Sequence, residues 1–275
     1  MPEYADLPPS QIVPSLADRG IYIASESTMY RILKCENMQH HRGNTKSPKN
    51  IKKPTTYIST GPNQVWTWDI TFLHSYIRGL YYKLYMIVDI FSRKIVGWEV
   101  WPEESGEYAS ILVERAVISE KIKGNPLVLH SDNGGPMKSF TLKAKLELLG
   151  VISSYSRPRV SNDNPYSESL FRTFKYRPGY PHEGFKDIEA ARQWVLDFVD
   201  WYNNKHYHSS LNFMTPCARH NGEAVEMMEQ RKKVYKAAQE LNPNRFNRGI
   251  RNWDLPEEVA LNPIDEKNKN TEAAG

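Results

Sequence analysis

The stretch Leu127-Val-Leu-His-Ser-Asp132-Asn-Gly-Gly135 decides the fold of this chain. It has the pattern of a short apolar strand that ends on a carboxylate and then turns at once. Two further acids occupy comparable places. Glu168 follows on a predicted helix after 35 intervening residues, and Asp69 precedes it within a strand-like run. Carboxylates on two strands and one helix suit a site for divalent cations, because hard cations prefer oxygen ligands.

Three motifs carry a resemblance to a known family: Trp-Asp69-Ile-Thr, His-Ser-Asp132-Asn-Gly and Asn-Pro-Tyr-Ser-Glu168. They resemble the Asp, Asp, 35-residue gap, Glu signature of the retroviral-integrase superfamily. More narrowly, the chain resembles the second-reading-frame transposase of bacterial insertion sequences, over roughly residues 9 to 263. The resemblance implies that the three acids are catalytic and hold two Mg²⁺ ions, or Mn²⁺ in their place, while a phosphodiester is attacked in line.

Charge is unevenly distributed along the 275 residues, although the net charge is only +4. Residues 31–53 contain seven Lys or Arg against one acid, and residues 231–251 contain seven against one. These basic flanks suggest a polyanionic partner such as DNA. Either run alone is equally compatible with surface charge that only keeps the protein soluble.

The two cysteines, Cys35 and Cys217, are far apart in the sequence. No disulfide framework or four-ligand zinc site can be proposed from them. The N-terminus has no signal-peptide pattern, and no apolar run approaches the ~20 residues that span a bilayer. With the resemblance, this predicts a cytoplasmic bacterial protein that associates with the nucleoid when it acts and has no membrane partner.

The hydrophobic pattern predicts an α/β fold. Three strands form an antiparallel meander, and a helix, a strand, a helix, a strand and the Glu168 helix follow. This is the order of a ribonuclease-H-like catalytic core, a mixed five-stranded sheet with flanking helices, here preceded by a small helix-turn-helix. The family fold implies that the first and fourth strands are neighbours, which would place Asp69 beside Asp132.

Four segments are predicted along the chain. They are a helix-turn-helix DNA-binding segment (1–41), a basic linker (42–63), a ribonuclease-H-like integrase catalytic core (64–220), and a C-terminal helix with a basic tail (221–275).

The first segment is predicted to hold two short helices, the second capped by Ser25. The second helix would expose Thr28, Arg31 and Lys34, which can contact phosphates and base edges in a major groove. The alternative is a two-helix cap on the catalytic domain. The resemblance favours DNA binding.

Further DNA contacts are predicted around the acids. Lys175 lies seven residues after Glu168 and therefore on the same helix face. By resemblance it holds DNA near the reacting phosphate, whereas the alternative is a solvent-facing lysine with no role. The other predicted contacts are Arg172 on the same helix, Asn133 beside Asp132, and Arg157 and Arg159 in a basic, Pro-interrupted loop.

Some residues compete for these roles. Asp89 also ends a strand and is open to a metal role, but hairpin chemistry before Phe91-Ser92-Arg93 explains it better. His130 shares strand parity with Asp132, so it either tunes that acid or is a structural histidine. His206, His208 and His220 lack a set of metal-ligand spacings and are interpreted as structural or DNA-facing.

The leading hypothesis is a DNA transposase that nicks and joins strands at insertion-sequence ends. Its partners would be double-stranded DNA (terminal inverted repeats and target), further copies of the chain in a synaptic complex, and the upstream-frame protein. The alternative is a catalytically inactive, transposase-derived DNA-binding regulator or truncated remnant. A third hypothesis is a nuclease of the same fold that acts on RNA hybrids or branched DNA.

Overall fold

The structure, a computed structural model, describes residues 4, 7–38, 55–122, 126–157, 163–247 and 249–263. The chain divides into two compact units, Met1–Ile51 and Lys52–Gly275. Arg159 and the first part of the predicted linker, residues 42–54, lie outside the described residues.

The first unit contains both predicted helices, α1 (Pro9–Asp18) and α2 (Glu26–Cys35). The Ser25 hydroxyl accepts a hydrogen bond from the Thr28 N–H at 3.3 Å. This bond satisfies one of the free N–H groups at the start of a helix. The predicted cap is therefore confirmed.

The second unit is a mixture of strands and helices. In chain order its elements are β1 (Tyr57–Ser59), β2 (Val65–His74), β3 (Tyr81–Asp89), β4 (Ile95–Trp101), α3 (Gly106–Ser119), β5 (Val128–Ser131), α4 (Phe140–Leu148), β6 (Ile152–Tyr155), α5 (Pro165–Lys175), α6 (Ile188–Asn204), α7 (Pro216–His220), α8 (Ala224–Leu241) and β7 (Val259–Leu261). None of the helices within the described ranges is long and apolar enough to cross a membrane.

Five strands form the main sheet in the order β4-β3-β2-β5-β6. The β2–β3 and β3–β4 pairs are antiparallel, as the predicted meander requires. β5 runs parallel to both β2 and β6. The predicted mixed five-stranded sheet, with the first and fourth strands of the core side by side, is therefore confirmed.

Helices cover both faces of this sheet, because its strands carry apolar side chains on both sides. Trp66 and Trp68 are buried in a cluster with side chains of α3 and α4. Leu73, on the opposite face, belongs to a second cluster that α5 and α6 complete. Phe72 has the same strand parity as the two tryptophans, but it is 45% exposed. It lies against Tyr81 and the Lys83 ammonium instead of a helix.

A second, two-stranded sheet forms where the sequence predicts a linker and a tail. β1 pairs antiparallel with β7, with Ile58 opposite Ala260. The Thr56 hydroxyl donates to the Asn262 carbonyl at 2.7 Å beside this pair. Both strands have three residues, too few to show an alternating pattern, and their partners are about 200 residues apart in sequence. The pairing was therefore not predicted.

Candidate active site

The sheet register brings Asp69 and Asp132 to equivalent positions on adjacent strands. Thr67 of β2 pairs with His130 of β5. Each aspartate stands two residues beyond that pair, Asp69 within β2 and Asp132 just past the end of β5. Glu168 lies in the first turn of α5.

The charges of Asp132 and Glu168 act on the Asp69 carboxyl group. Burial raises the pKa of Asp69 from 3.8 to about 7, and the charges of Asp132 and Glu168 act in the same direction. A hydrogen bond from the Ile70 N–H opposes the rise. Coulombic effects weaken with distance, so the three acids lie in one neighbourhood of the fold.

The side chains of this acidic trio are not drawn together into a chelating cluster. Among the described residues, no three His, Cys, Asp or Glu side chains are arranged so that they could hold a metal ion as they stand. Asp69 Oδ1 accepts from the Ile70 N–H at 2.8 Å, and Asp132 Oδ1 accepts from the Gly134 N–H at 3.0 Å. The all-oxygen donor set fits a hard divalent cation in kind, but side-chain movement would be needed for all three to bind one.

Removing the Asp69 charge should stabilise the fold. Because its pKa is higher in the folded than in the unfolded chain, the carboxyl lowers the free energy of unfolding as pH rises from about 4 to about 7. In EDTA we expect Asp69→Asn to be more stable than the wild type by ~1–3 kcal/mol at about pH 8 and equally stable at about pH 4. Urea unfolding measures both values. Asp197→Asn, a change to an exposed acid of α6, should show no such pH-dependent gain. Equal stabilities of Asp69→Asn and wild type at about pH 8 would contradict the assigned environment.

Lys175 and Arg172 share α5 with Glu168. Burial lowers the pKa of Lys175, and the Asp69 charge opposes that effect. The Lys175 ammonium is therefore close enough to the acidic trio to interact with Asp69. Arg172 is exposed to solvent.

Arg157 and Asn133 are engaged in contacts within the protein. The Arg157 guanidinium donates to both carboxylate oxygens of the buried Asp163, at 3.0 and 2.9 Å. The Asn133 amide donates to the Ser156 carbonyl at 2.6 Å. DNA contacts by these two side chains stay predictions, and each would compete with the hydrogen bond described here.

The three predicted DNA-contacting residues of the first unit lie on α2. Arg31 and Lys34 are exposed, and Thr28 is half-buried. The Arg31 guanidinium donates to the Thr28 hydroxyl at 3.3 Å, so these two side chains form one polar surface.

Asp89 ends β3 but belongs to a different network. Its Oδ1 accepts from the Ser92 N–H at 2.7 Å and from the Ser92 hydroxyl at 2.6 Å, while Oδ2 accepts from the Asn63 N–H at 2.8 Å. Burial raises the pKa of Asp89 and these hydrogen bonds oppose the rise. The contacts to Ser92 are those of a turn, which supports the hairpin interpretation.

The histidines make structural contacts. His130 Nε2 lies 3.0 Å from the Asp163 carbonyl, which can only accept, so this nitrogen carries a proton. Its Nδ1 lies 2.9 Å from the Ser154 hydroxyl, and burial lowers its pKa. His220 lies between the Ser92 hydroxyl and the Glu120 carboxylate, 2.9 Å from each. His206 and His208 pack their rings against Tyr202.

Glu104 is a fourth acid at the site that sequence reasoning did not identify. Its charge also raises the pKa of Asp69, in addition to the larger effects of burial, Asp132 and Glu168. It stands in the short connection between β4 and α3. The sequence feature that could have identified Glu104 is its position soon after a strand, like that of Asp132.

Comparison with known sequences identifies the architecture. Residues 59–161 and 149–216 match models of the integrase core domain family. The chain is 32% identical over 164 residues to the transposase for insertion sequence element IS904 of Lactococcus lactis subsp. lactis (strain IL1403). It is 29% identical over 161 residues to the transposase InsF for insertion sequence IS3A of Escherichia coli (strain K12). Each match covers 58% of this chain but only 62% and 54% of the relatives' own lengths.

Likenesses to solved structures are more distant. The simian T-cell lymphotropic virus intasome in complex with PP2A regulatory subunit B56 gamma matches with a TM-score of 0.48 and 18% identity, over 76% of this chain and 70% of the other. The Mos1 mariner transposase catalytic domain matches with a TM-score of 0.42 and 14% identity, over 50% of this chain and 70% of the other. The family assignment depends on the sequence matches alone.

Proposed function

Because the chain belongs to the integrase core family, we propose that it is a DNA transposase that cuts and joins strands at the ends of an insertion sequence. The observation that carries the proposal is the placement of Asp69, Asp132 and Glu168 on two adjacent strands and one helix, where their charges interact. Negative charge at fixed positions is what a metal-dependent phosphodiester site requires of its protein.

Asp69, Asp132 and Glu168 would hold two Mg²⁺ ions, or Mn²⁺ in their place. When bound, such ions activate an attacking oxygen and stabilise the leaving oxygen. The protein then needs no nucleophilic side chain. Its own residues bind the DNA and orient the reacting phosphodiester, first for attack by water and then for attack by a freed 3′-hydroxyl.

Lys175 would bind a phosphate oxygen beside the acidic trio. Its ammonium already interacts with Asp69, and it lies on the face of α5 that carries Glu168. We expect Lys175→Ala to weaken DNA binding and to reduce the slope of log affinity against log salt concentration by about 1. Fluorescence anisotropy at several salt concentrations measures the slope. Lys145→Ala is the control, because that ammonium is paired with Glu114 at 2.9 Å. Equal slopes for Lys175→Ala and wild type would contradict the contact.

The test of the function uses the full chain and duplex DNA that ends in the inverted repeats flanking its reading frame. Strand nicks at the repeat end and joined products in Mg²⁺, but not in EDTA, would support the proposal.

Tight binding without cleavage in Mg²⁺ or Mn²⁺ would favour a DNA-binding regulator. Preferential cleavage of an RNA–DNA hybrid would indicate a nuclease. Cross-linking on the same DNA would test assembly of several copies, and of the upstream-frame protein, into a synaptic complex.

A further inference from the structure

Two buried hydrogen bonds connect the first turn of α5 to β2. The Asn164 side-chain amide donates to the Trp68 carbonyl at 3.1 Å. The Ser167 hydroxyl donates to the Thr67 hydroxyl at 3.2 Å. Thr67 and Trp68 immediately precede Asp69, while Asn164 and Ser167 stand four residues and one residue before Glu168. Both bonds therefore join the immediate surroundings of two acids of the trio.

A third contact connects the same helix start to β5. The carbonyl of Asp163 accepts from His130 Nε2 at 3.0 Å. His130 lies two residues before Asp132 and is buried. The start of α5 is thus linked to both strands that carry the aspartates.

Apolar packing alone does not fix the start of α5. The buried apolar residues of the helix are Leu170, Phe171 and Phe174, which all follow Glu168, and before Glu168 only the partly buried Tyr166 packs against the core. Such contacts are non-directional, so they determine which face of the helix is buried more than its position along its own axis. Hydrogen bonds have preferred lengths and angles, so they restrict that position.

The Asn164 side chain forms its hydrogen bond to β2 and not to its own helix. Asparagine is a preferred residue at the start of a helix, but Asn164 makes no side-chain cap hydrogen bond to α5. Its amide points to Trp68 instead, and its Oδ1 is buried without a hydrogen-bond partner among the described residues. A buried polar atom without a partner is unfavourable, and a cap would have stabilised the helix locally. The link to β2 is the contact that this side chain makes.

We infer that Asn164 and Ser167 are positioning residues that set the placement of Glu168 relative to Asp69. The inference rests on the proposed function of these acids. Neither residue needs to touch DNA or an ion. They act by holding the first turn of α5 against β2, so that movement of the carboxylates toward a shared cation starts from a defined arrangement.

The test removes each hydrogen bond by a substitution that changes the shape of the side chain as little as possible. Asn164→Asp keeps the size of the side chain but removes its N–H donors. Thr67→Val removes the hydroxyl that Ser167 contacts, and Thr67→Ser keeps it. Ser169→Ala, at an exposed position of the same helix, is the matched control. Three quantities are measured for the full chain: the Mn²⁺ dissociation constant by calorimetry without DNA, the Mg²⁺ concentration for half-maximal cleavage, and stability to urea in EDTA.

We expect the Mn²⁺ dissociation constant and the Mg²⁺ requirement to rise ~10-fold or more in Asn164→Asp and Thr67→Val, since residues that orient metal ligands have effects of this size. Thr67→Ser and Ser169→Ala should resemble the wild type. Wild-type metal binding in both disrupting variants, with only their stability reduced, would overturn the inference. If Asn164→Asp does not fold, the comparison of Thr67→Val with Thr67→Ser decides. A wild type that neither binds Mn²⁺ nor cleaves would overturn the proposed function, and the positioning role with it.

Discussion

Replacing Asp132 with asparagine should abolish strand cleavage and strand transfer while DNA binding is unchanged. The substitution preserves the shape of the side chain at the end of β5 and removes its negative charge. Metal-ion stabilisation of a phosphodiester transition state contributes several kcal/mol, so we expect both rates to fall at least ~1,000-fold. Denaturing gels of end-labelled repeat DNA measure cleavage and joining, and a mobility-shift assay measures binding.

Asp197→Asn provides the control for this loss, because Asp197 is an exposed acid on α6. It should cleave DNA like the wild type. Mg²⁺-dependent cleavage that persists in Asp132→Asn would remove this residue from the catalytic trio. A parallel loss of DNA binding would indicate that the residue supports the fold or the DNA interface and not the chemistry.

Asp89→Ala should instead destabilise the protein strongly. The carboxylate is fully buried and accepts hydrogen bonds from the Ser92 N–H, the Ser92 hydroxyl and the Asn63 N–H. Truncation leaves these donors without their partner in the interior, which we expect to lower the free energy of unfolding by about 3–5 kcal/mol. Urea unfolding at neutral pH measures the loss.

The opposite changes in unfolding free energy expected at two strand acids, Asp69 and Asp89, make this prediction specific. In EDTA, Asp69→Asn should gain stability above neutral pH, whereas Asp89→Ala should lose it. Asp197→Ala at the exposed site should change the unfolding free energy by less than ~0.5 kcal/mol. A loss below ~1 kcal/mol for Asp89→Ala would show that other groups satisfy the three donors.

Local sequence was sufficient where a pattern repeats within one element. The hydrophobic pattern predicted the antiparallel meander of β2, β3 and β4 and the alternation of helices and strands from α3 to α5. The three acidic motifs predicted which strands and which helix contribute to the site. That the strands of Asp69 and Asp132 are neighbours could be predicted only from the resemblance, because local periodicity does not show which strands pair.

Long-range polar contacts were beyond sequence reasoning. Asparagine favours a local cap at the start of a helix, yet the Asn164 amide donates to the Trp68 carbonyl, 96 residues earlier in the chain. Glu104 was missed because its influence on Asp69 depends on where the connection after β4 folds back. The exposure of Phe72 likewise depends on where the covering helices end.

The pairing of β1 with β7 has a consequence for protein synthesis. Tyr166, two residues before Glu168, donates its hydroxyl to the Ala260 carbonyl of β7 at 2.8 Å. The ribosome must translate past Leu261 before β1 can pair with β7 and before the Tyr166 hydroxyl can form its hydrogen bond. All three acids are therefore synthesised well before α5, which bears Glu168, can form this hydrogen bond to β7.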